Sequence, residues 1–202
     1  HTRPRQGGAQ QDGGHGSAIN AGVGVIKGRY FKVVDADDWV NTQILKETVC
    51  YLKQHEQQKE NFADVVLMSY KSYVLQREGT KQYPYDDKFI KQNGGPYDAE
   101  YINEHLYDFW WGLSLHGVIY NTGFYRSIGR TLIEGVFYED QEFSIVPMAY
   151  AQRFGIDTPC SKAGSCFDCK SPECICCQIL VTRFSRQKGR FKIILVDENL
   201  GF

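Results

Sequence analysis

The chain has 202 residues, which is enough for one ordinary domain or for a domain with a small appendage. Hydrophobic residues make up 42% and charged residues 23%, which is the balance of a globular protein with a core, and the formal net charge of -1 argues against a nucleic-acid-binding protein that works through bulk positive charge. No apolar run reaches the roughly 18 residues of a membrane span and no signal peptide is recognisable, so we expect a cytoplasmic protein without a transmembrane segment.

The first half of the chain predicts a loop, a strand, a helix and a second strand. Residues 1–16 are rich in glycine and lack apolar periodicity, so we expect a disordered or loop lead-in. Aromatic and β-branched residues over 30–34 predict a strand that ends at Asp35. The run 64–74 predicts a second buried strand. Between the two, apolar residues at helical spacing predict a helix whose apolar face contains Leu45, Val49 and Leu52.

The second half predicts a strand, a helix and two terminal strands. The run 115–120 has the pattern of a strand, and 139–153 has the pattern of a helix with two carboxylates in its first turn. The composition changes near residues 153–158, where proline, glycine and cysteine begin to dominate. Two β-rich runs, 179–184 and 191–196, follow the cysteines. We therefore expect a domain boundary at this change of composition.

Three carboxylates follow the first predicted strand, at Asp35, Asp37 and Asp38. Two carboxylates separated by one residue can bind the same cation, because Mg²⁺ and Mn²⁺ favour oxygen ligands. Such a cation could also hold a diphosphate and neutralise its charge as it leaves. The alternative is an acidic N-cap, in which Asp37 or Asp38 simply begins the next helix. The acidic cluster alone leaves both interpretations open.

A second acidic pair, Glu139 and Asp140, begins the helix predicted over 139–153. An inverting sugar transfer needs one base to take the proton of the acceptor hydroxyl. A glycoside hydrolase needs a carboxylic acid as well, because its leaving group is poorer. The alternative is that the two carboxylates only cap the helix and complement its dipole.

The sequence around both acidic clusters resembles the family 2 glycosyltransferases of bacteria. The stretches that carry the resemblance are GHGSAINAG at 14–22, GRYFKVVDADDWV at 28–40 and FYEDQEF at 137–143. The resemblance covers roughly residues 12–153, with 17–153 as the expected catalytic domain. It implies an α/β fold, namely a partial GT-A-like mixed sheet with flanking helices.

The resemblance also assigns roles on the donor side of the site. By it, Asp37 is the best metal ligand, Asp35 contacts the metal or the donor ribose, and Asp38 supports the site. Asn20 matches the donor-side loop of the family, in which an arginine usually stands where this chain has Ile19. The implied cofactor is Mn²⁺ or Mg²⁺.

On the acceptor side, the resemblance implies that Asp140 is the general base and Glu139 its neighbour in the site. The segment WWGLSLHGVIYN at 110–121 resembles the acceptor-side strand and loop, with Trp111, His116 and Gly117 as acceptor-side residues. Exposed tryptophan faces suit stacking on sugar rings, but paired tryptophans are at least as often core residues. A structural, hydrogen-bonded role is likewise the alternative for the histidine.

Together these roles imply an inverting, metal-dependent glycosyltransferase of the hexosyltransferase type. Its partners would be a nucleotide-sugar donor, such as a UDP-sugar, and a glycan or lipid-linked acceptor with a free hydroxyl. Family members carry a nucleotide-binding segment ahead of the region matched here. Because the chain begins with His1 rather than Met, we expect an enzyme that is N-terminally truncated and incomplete as given.

The segment 157–202 resembles the C-terminal end of LUD-domain proteins, which are of the lactate-utilisation type. This segment contains Cys166 and Cys169 at Cys-x2-Cys spacing. Thiolates at this spacing can bind Zn²⁺ or an iron–sulfur cluster, and reduced, partly buried thiols are the alternative. The segment therefore carries the rival function, a non-enzymatic metal-binding or interaction module. Its β-rich runs are expected either to dock on the main sheet or to form a small Cys-rich β appendage. The family cysteines implied by the resemblance are Cys160, Cys166, Cys169 and Cys176.

Overall fold

In the computed structural model the chain forms a mixed β-sheet flanked by helices, which confirms the predicted α/β fold class. The structure describes residues 13–35, 38, 40, 42–58, 62–68, 72–76, 79–83, 94–109, 113–157, 180–185 and 190–196.

Seven of the strands in these residues form one sheet, in the order β5-β7-β2-β6-β1-β9-β8, and the other two form a separate antiparallel pair, β3-β4. All neighbours in the main sheet are antiparallel except β2 and β7, which are parallel. The strands are β1 (Tyr30–Asp35), β2 (Val65–Met68), β3 (Ser72–Gln76), β4 (Gly79–Tyr83), β5 (Gly94–Tyr97), β6 (Val118–Asn121), β7 (Phe154–Asp157), β8 (Leu180–Ser185) and β9 (Arg190–Val196).

The helices of the described residues are α1 (Gly14–Val25), α2 (Thr42–Gln58), α3 (Ala99–Glu104), α4 (Leu106–Phe109), α5 (Thr122–Ser127) and α6 (Glu139–Ile145), with a short 3₁₀ helix at Pro147–Ala149.

Strand β1 lies inside the sheet, and its side chains alternate between the two helical layers. On one face Phe31 and Val33 belong to a core cluster that includes Ile19 of α1 and Phe143 of α6. By the same period of two, Asp35 ends the strand on this face. The last residue of β1 is therefore directed toward the layer that contains α1 and α6.

The other face of the sheet is covered by α2. Val49 and Leu52 pack in a second core cluster with Tyr30 and Ile119 of the sheet. Leu45 is also buried, so the predicted apolar face of this helix is confirmed. Burial of each such side chain stabilises the fold by about 1.5–3 kcal/mol.

Two strand predictions were wrong in their bounds. The run 64–74 is not one strand, because β2 and β3 are separate strands of different sheets. The run 115–120 begins as a turn, in which the Gly117 N–H donates to the Ser114 carbonyl at 2.9 Å. Strand β6 therefore starts only at Val118.

The helix predicted over 139–153 is shorter than expected, because α6 ends at Ile145. Pro147 has no N–H to donate and its ring disfavours a continued α-helix, so the chain passes into a 3₁₀ helix instead. The strand that follows, β7, lies within the region we had expected to be the domain boundary.

Helix α1 was not predicted, since residues 1–16 were expected to be a lead-in, yet the helix begins at Gly14. Its sequence is rich in glycine, which costs about 1 kcal/mol per helical position relative to alanine, and Gly13 provides no side-chain cap. The helix therefore depends on tertiary packing. A Cβ atom on Gly16 would lie only 2.7 Å from the Ile133 carbonyl oxygen, which shows how closely α1 approaches the loop before α6.

The two terminal strands extend the main sheet instead of forming a separate Cys-rich β appendage. Strand β9 pairs with the whole length of β1, from Tyr30 opposite Val196 to Asp35 opposite Phe191, and β8 pairs with β9. Docking, one of the two expected arrangements, is thus the observed one. Cys160, Cys166, Cys169 and Cys176 lie outside the described residues, so metal binding by them stays a prediction. None of the helices in the described ranges combines the length and apolarity that a membrane crossing requires.

Candidate functional site

The acidic end of β1 lies opposite the turn that precedes β6. The antiparallel register pairs Phe31 with Tyr120, and each step forward along β1 is a step backward along β6. At this end of β1, ligand atoms of Asp35 and of His116, which lies in the turn before β6, come within 4.8 Å of each other. The sheet therefore brings together two residues that are far apart in sequence.

Asp35, Asp38 and His116 offer ligand atoms that all lie within 4.8 Å of one another. The Asp38 N–H donates to the Asp35 carbonyl at 3.1 Å, and this hydrogen bond holds Asp38 beside the end of β1. His116 Nδ1 lies 3.0 Å from Asp38 Oδ2. Two carboxylates and an imidazole are a donor set that suits Mn²⁺, which accepts oxygen and nitrogen ligands, better than Mg²⁺, which prefers oxygen alone. We call these three residues the cation cluster.

The cation cluster differs from the predicted metal ligands. Asp37, expected to be the best ligand, lies outside the described residues, and so does Trp111. Asp38 was expected only to support the site, and His116 was expected on the acceptor side. Both now lie beside Asp35, the one predicted metal contact that the structure describes.

A lysine is buried beneath this cluster. Lys32 is 6% exposed, and its Nζ donates to the carbonyl oxygens of His116 at 2.6 Å and Val118 at 3.5 Å. Burial lowers the pKa of Lys32 to about 7, although the charges of Asp38 and Asp35 oppose this shift. Lys32 thus fixes the backbone of the turn that carries the histidine.

His15, at the beginning of α1, joins the two acidic motifs. Its Nε2 lies 3.1 Å from Asp35 Oδ1, and its Nδ1 lies 2.8 Å from Glu139 Oε1. A neutral ring carries one proton and can therefore donate to only one of the two carboxylates. If that proton is on Nδ1, the buried Nε2 faces the Asp35 carboxylate with no proton between them. Only the doubly protonated ring donates to both carboxylates.

The charges of the two carboxylates decide the protonation of this histidine. Burial by itself lowers the pKa of His15, but hydrogen bonds and charge from Asp35 and Glu139 outweigh burial, and the pKa is raised. Burial likewise raises the pKa of Asp35, but its hydrogen bond and charge interaction with His15 prevail and lower it. The two carboxylates therefore favour the protonated form of the His15 ring that lies between them.

Glu139 and Asp140 have different surroundings in the first turn of α6. The Glu139 side chain contacts His15 and is 11% exposed. Asp140 is half-buried, its main-chain oxygen accepts a hydrogen bond from Ser144 Oγ at 2.7 Å, and no described residue makes a hydrogen bond or ion pair with its carboxylate. The acidic pair thus consists of one ion-paired carboxylate and one open carboxylate.

Asn20 and Gly117 hold backbone segments of the site. The Asn20 amide donates to the Leu132 carbonyl at 3.0 Å and to Glu134 Oε1 at 3.1 Å, and its Oδ1 accepts from the Leu132 N–H at 2.9 Å. Gly117 is buried, and its carbonyl accepts from the Met68 N–H at 2.8 Å. The predicted donor contact of Asn20 and acceptor contact of Gly117 stay predictions.

Sequence reasoning missed four residues of this region. His15 lies between two glycines, a pattern that frees space around one titratable side chain. Lys32 interrupts an otherwise apolar strand, which signals a buried charge. Phe137 and Tyr138 stand directly before the acidic pair and are 91% and 79% exposed, and Tyr138 has a left-handed backbone with φ 69. Large exposed aromatics next to a candidate site are typical of ligand contacts.

Comparisons with known proteins give a likeness of fold. No protein-family model and no curated protein matches the chain. The crystal structure of S. aureus TarS 1-349 in complex with UDP-GlcNAc has a TM-score of 0.53 and 22% identity, covering 73% of this chain and 37% of that one. A second structure of S. aureus TarS 1-349 has a TM-score of 0.51 and 22% identity, covering 72% of this chain and 38% of that one. The chain thus spans well under half the length of the TarS structures, and the likeness shows a fold shared with part of TarS. The LUD-domain resemblance of residues 157–202 stays a prediction.

Proposed function

We propose that the protein is an inverting, metal-dependent glycosyltransferase that moves a sugar from a UDP-sugar to the hydroxyl of a glycan or lipid-linked acceptor. The observation that carries this proposal is that His15 joins the two acidic motifs, because it contacts Asp35 of the cation cluster at the end of β1 and Glu139 at the start of α6. The fold adds support, because one similar structure, that of S. aureus TarS, is a complex with UDP-GlcNAc.

The donor side consists of Asp35, Asp38 and His116, which would hold the divalent cation, with Asp37 predicted beside them. A bound cation would supply positive charge that offsets the diphosphate of the leaving nucleotide. The protein's own contribution is to keep these ligands close before the donor arrives. It does so through the hydrogen bond from the Asp38 N–H to the Asp35 carbonyl and through Lys32, which holds the backbone of the histidine turn.

The acceptor side consists of Asp140 and the residues just before it. The carboxylate of Asp140, which no described residue engages, would take the proton of an acceptor hydroxyl, whereas the carboxylate of Glu139 is already engaged by His15. One base is sufficient for an inverting transfer, because the leaving diphosphate needs no protonation by a second acid. This division of the acidic pair favours Asp140 over Glu139 as the general base.

The exposed aromatic pair, Phe137 and Tyr138, supports a sugar-binding acceptor site. The loop that carries it is held by the Asn20 hydrogen bonds to Leu132 and by the Gly135 N–H, which donates to the Gly13 carbonyl at 2.7 Å. Aromatic faces on a fixed loop stack on the apolar faces of sugar rings at a low entropic cost. Together with the predicted Trp111, they would hold the acceptor near Asp140.

Cation and nucleotide binding test the donor side independently of turnover. Titration calorimetry and Mn²⁺ electron paramagnetic resonance should show one bound Mn²⁺ whose affinity increases when UDP-GlcNAc or UDP is present. Asp35→Asn and His116→Ala should each weaken Mn²⁺ binding at least tenfold. His105→Ala is the control, because this partly buried histidine bonds only the Tyr101 carbonyl in the described residues.

Because this chain spans only 37% of the TarS structure, transfer is assayed in the full-length protein that contains these residues, and all kinetic variants are made in it. The assay measures UDP released from UDP-GlcNAc with a range of glycan and lipid-linked acceptors. The proposal predicts UDP release that needs Mn²⁺ and an acceptor. A protein that binds neither Mn²⁺ nor UDP-GlcNAc, and that releases no UDP with any acceptor, would contradict it.

A further inference from the structure

His15 is the one described side chain that contacts both acidic motifs of the site. Its two ring nitrogens lie 3.1 Å from the Asp35 carboxylate and 2.8 Å from the Glu139 carboxylate, and the histidine side chain is 20% exposed. Three separate elements, α1, β1 and α6, therefore meet at one imidazole. A flat ring with two separate nitrogens can span two carboxylates in a way that a single amide or ammonium nitrogen cannot.

The glycines around His15 explain why the ring can reach this position. Gly14 has φ +86, a left-handed backbone that other residues rarely adopt, and a Cβ there would lie 3.2 Å from the backbone nitrogen of Gly135. A Cβ on Gly16 would lie 2.7 Å from the Ile133 carbonyl. The start of α1 is thus pressed against the loop that leads into α6. This close approach places His15 within reach of Glu139.

We propose that His15 is a positioning residue that couples the acceptor-side base to the donor side by holding Glu139 and Asp35 in fixed relative positions. The proposal rests on the proposed function and adds a role for a residue that is neither one of the proposed cation ligands nor the proposed base. Asp140 follows Glu139 in the same helical turn, so a fixed Glu139 also fixes the start of α6 and the base that it carries. Catalysis is sensitive to such placement, since a displacement of about 1 Å can reduce the rate by about 10²-fold.

A purely structural role is the competing explanation, in which His15 only joins α1 to the domain. The two roles differ in how the effects of replacing His15 and Glu139 on kcat combine. A positioning role requires the effects of the two residues on kcat to be non-additive, because one acts through the other. A structural role changes the free energy of unfolding but leaves their effects on kcat additive.

The test is a double-mutant cycle of His15→Gln, Glu139→Gln and the double variant, in UDP-GlcNAc transfer with Mn²⁺. Glutamine keeps most of the volume of histidine but donates from a single nitrogen. We expect each single variant to lower kcat at least tenfold with the donor KM changed less than threefold. The double variant should be no slower than the slower single variant.

A parallel cycle of His105→Gln with Glu139→Gln provides the control, and its effects should be additive. Unfolding free energies of all variants, from urea titrations, show whether each one is folded under the assay conditions. Additive losses of kcat in the His15 cycle would overturn the positioning role while leaving the proposed function intact. Absence of UDP release by the unsubstituted protein, in contrast, would overturn the proposed function and the positioning role with it.

Discussion

The buried lysine beneath the cation cluster gives the sharpest prediction about stability. Lys32 is 6% exposed, and burial lowers its pKa from 10.5 to about 7 in the folded protein. Between these two values Lys32 binds more protons in the unfolded chain than in the folded chain, so its contribution to the free energy of unfolding rises with pH across this window. The substitution Lys32→Met removes the titrating group and keeps a side chain of similar length.

The size of the effect follows from the two pKa values. At pH 7 the lowered pKa of Lys32 costs about 4 kcal/mol of stability, and at pH 9 this cost falls to about 2 kcal/mol. Lys32→Met also loses the hydrogen bonds to the carbonyls of His116 and Val118, which lowers its free energy of unfolding by about 1–3 kcal/mol at every pH. The quantity to measure is therefore the difference in the free energy of unfolding between the unsubstituted protein and Lys32→Met. From pH 7 to pH 9 the unsubstituted protein should gain about 2 kcal/mol of stability relative to the variant.

Urea titrations of both proteins at pH 7, 8 and 9, with a chelator to remove divalent cations, measure this difference. Lys27→Met is the control for the loss of one positive charge at an exposed position. If the unfolding free energies of the unsubstituted protein and of Lys32→Met run parallel from pH 7 to pH 9, the charged lysine is not buried as described, and our account of the turn is wrong.

Four further substitutions test the site and its scaffold. Asp140→Asn should lower kcat about 10²–10⁴-fold with the donor KM nearly unchanged, because it removes only the basicity of the side chain, and steady-state kinetics with varied UDP-GlcNAc check this. Asn20→Ala should lower the free energy of unfolding by about 1–3 kcal/mol in urea titrations, because it leaves the backbone N–H and carbonyl of Leu132 without their partner. Gly16→Ala should destabilise the protein by about 1–3 kcal/mol, since its Cβ would lie too close to the Ile133 carbonyl oxygen. Gly24→Ala, whose Cβ would have nothing within 4 Å, should stabilise α1 by about 0.5–1 kcal/mol in the same measurement.

The sequence predicted those elements whose residues follow a local pattern of residue type or spacing. Strand β1 was located by its aromatic and β-branched run, and the face of α2 by the spacing of Leu45, Val49 and Leu52. Both are local patterns that burial on one side of a sheet or helix imposes directly. The two acidic motifs were also found where they lie, at the end of β1 and the start of α6.

The partners of these motifs could not be predicted, because they depend on strand register and helix packing. Only the pairing of β1 with β6 brings His116 near Asp35, and only the close approach of α1 to the loop before α6 places His15 at Glu139. Glu142 illustrates the same limit. By sequence it is a surface charge on α6, but its Oε2 accepts a hydrogen bond from the Ile133 N–H at 3.0 Å, so its substitution is not a neutral control for Asp140.

The most direct test of the central claim is the dependence of UDP-GlcNAc binding on Mn²⁺, measured by titration calorimetry in the unsubstituted protein and in Asp35→Asn. Our account predicts that Mn²⁺ increases the affinity for UDP-GlcNAc at least tenfold in the unsubstituted protein and has little effect in the variant, because the cation cluster joins the nucleotide diphosphate to the end of β1. Equal affinity for UDP-GlcNAc with and without Mn²⁺ in both proteins, or no binding in either, would contradict it.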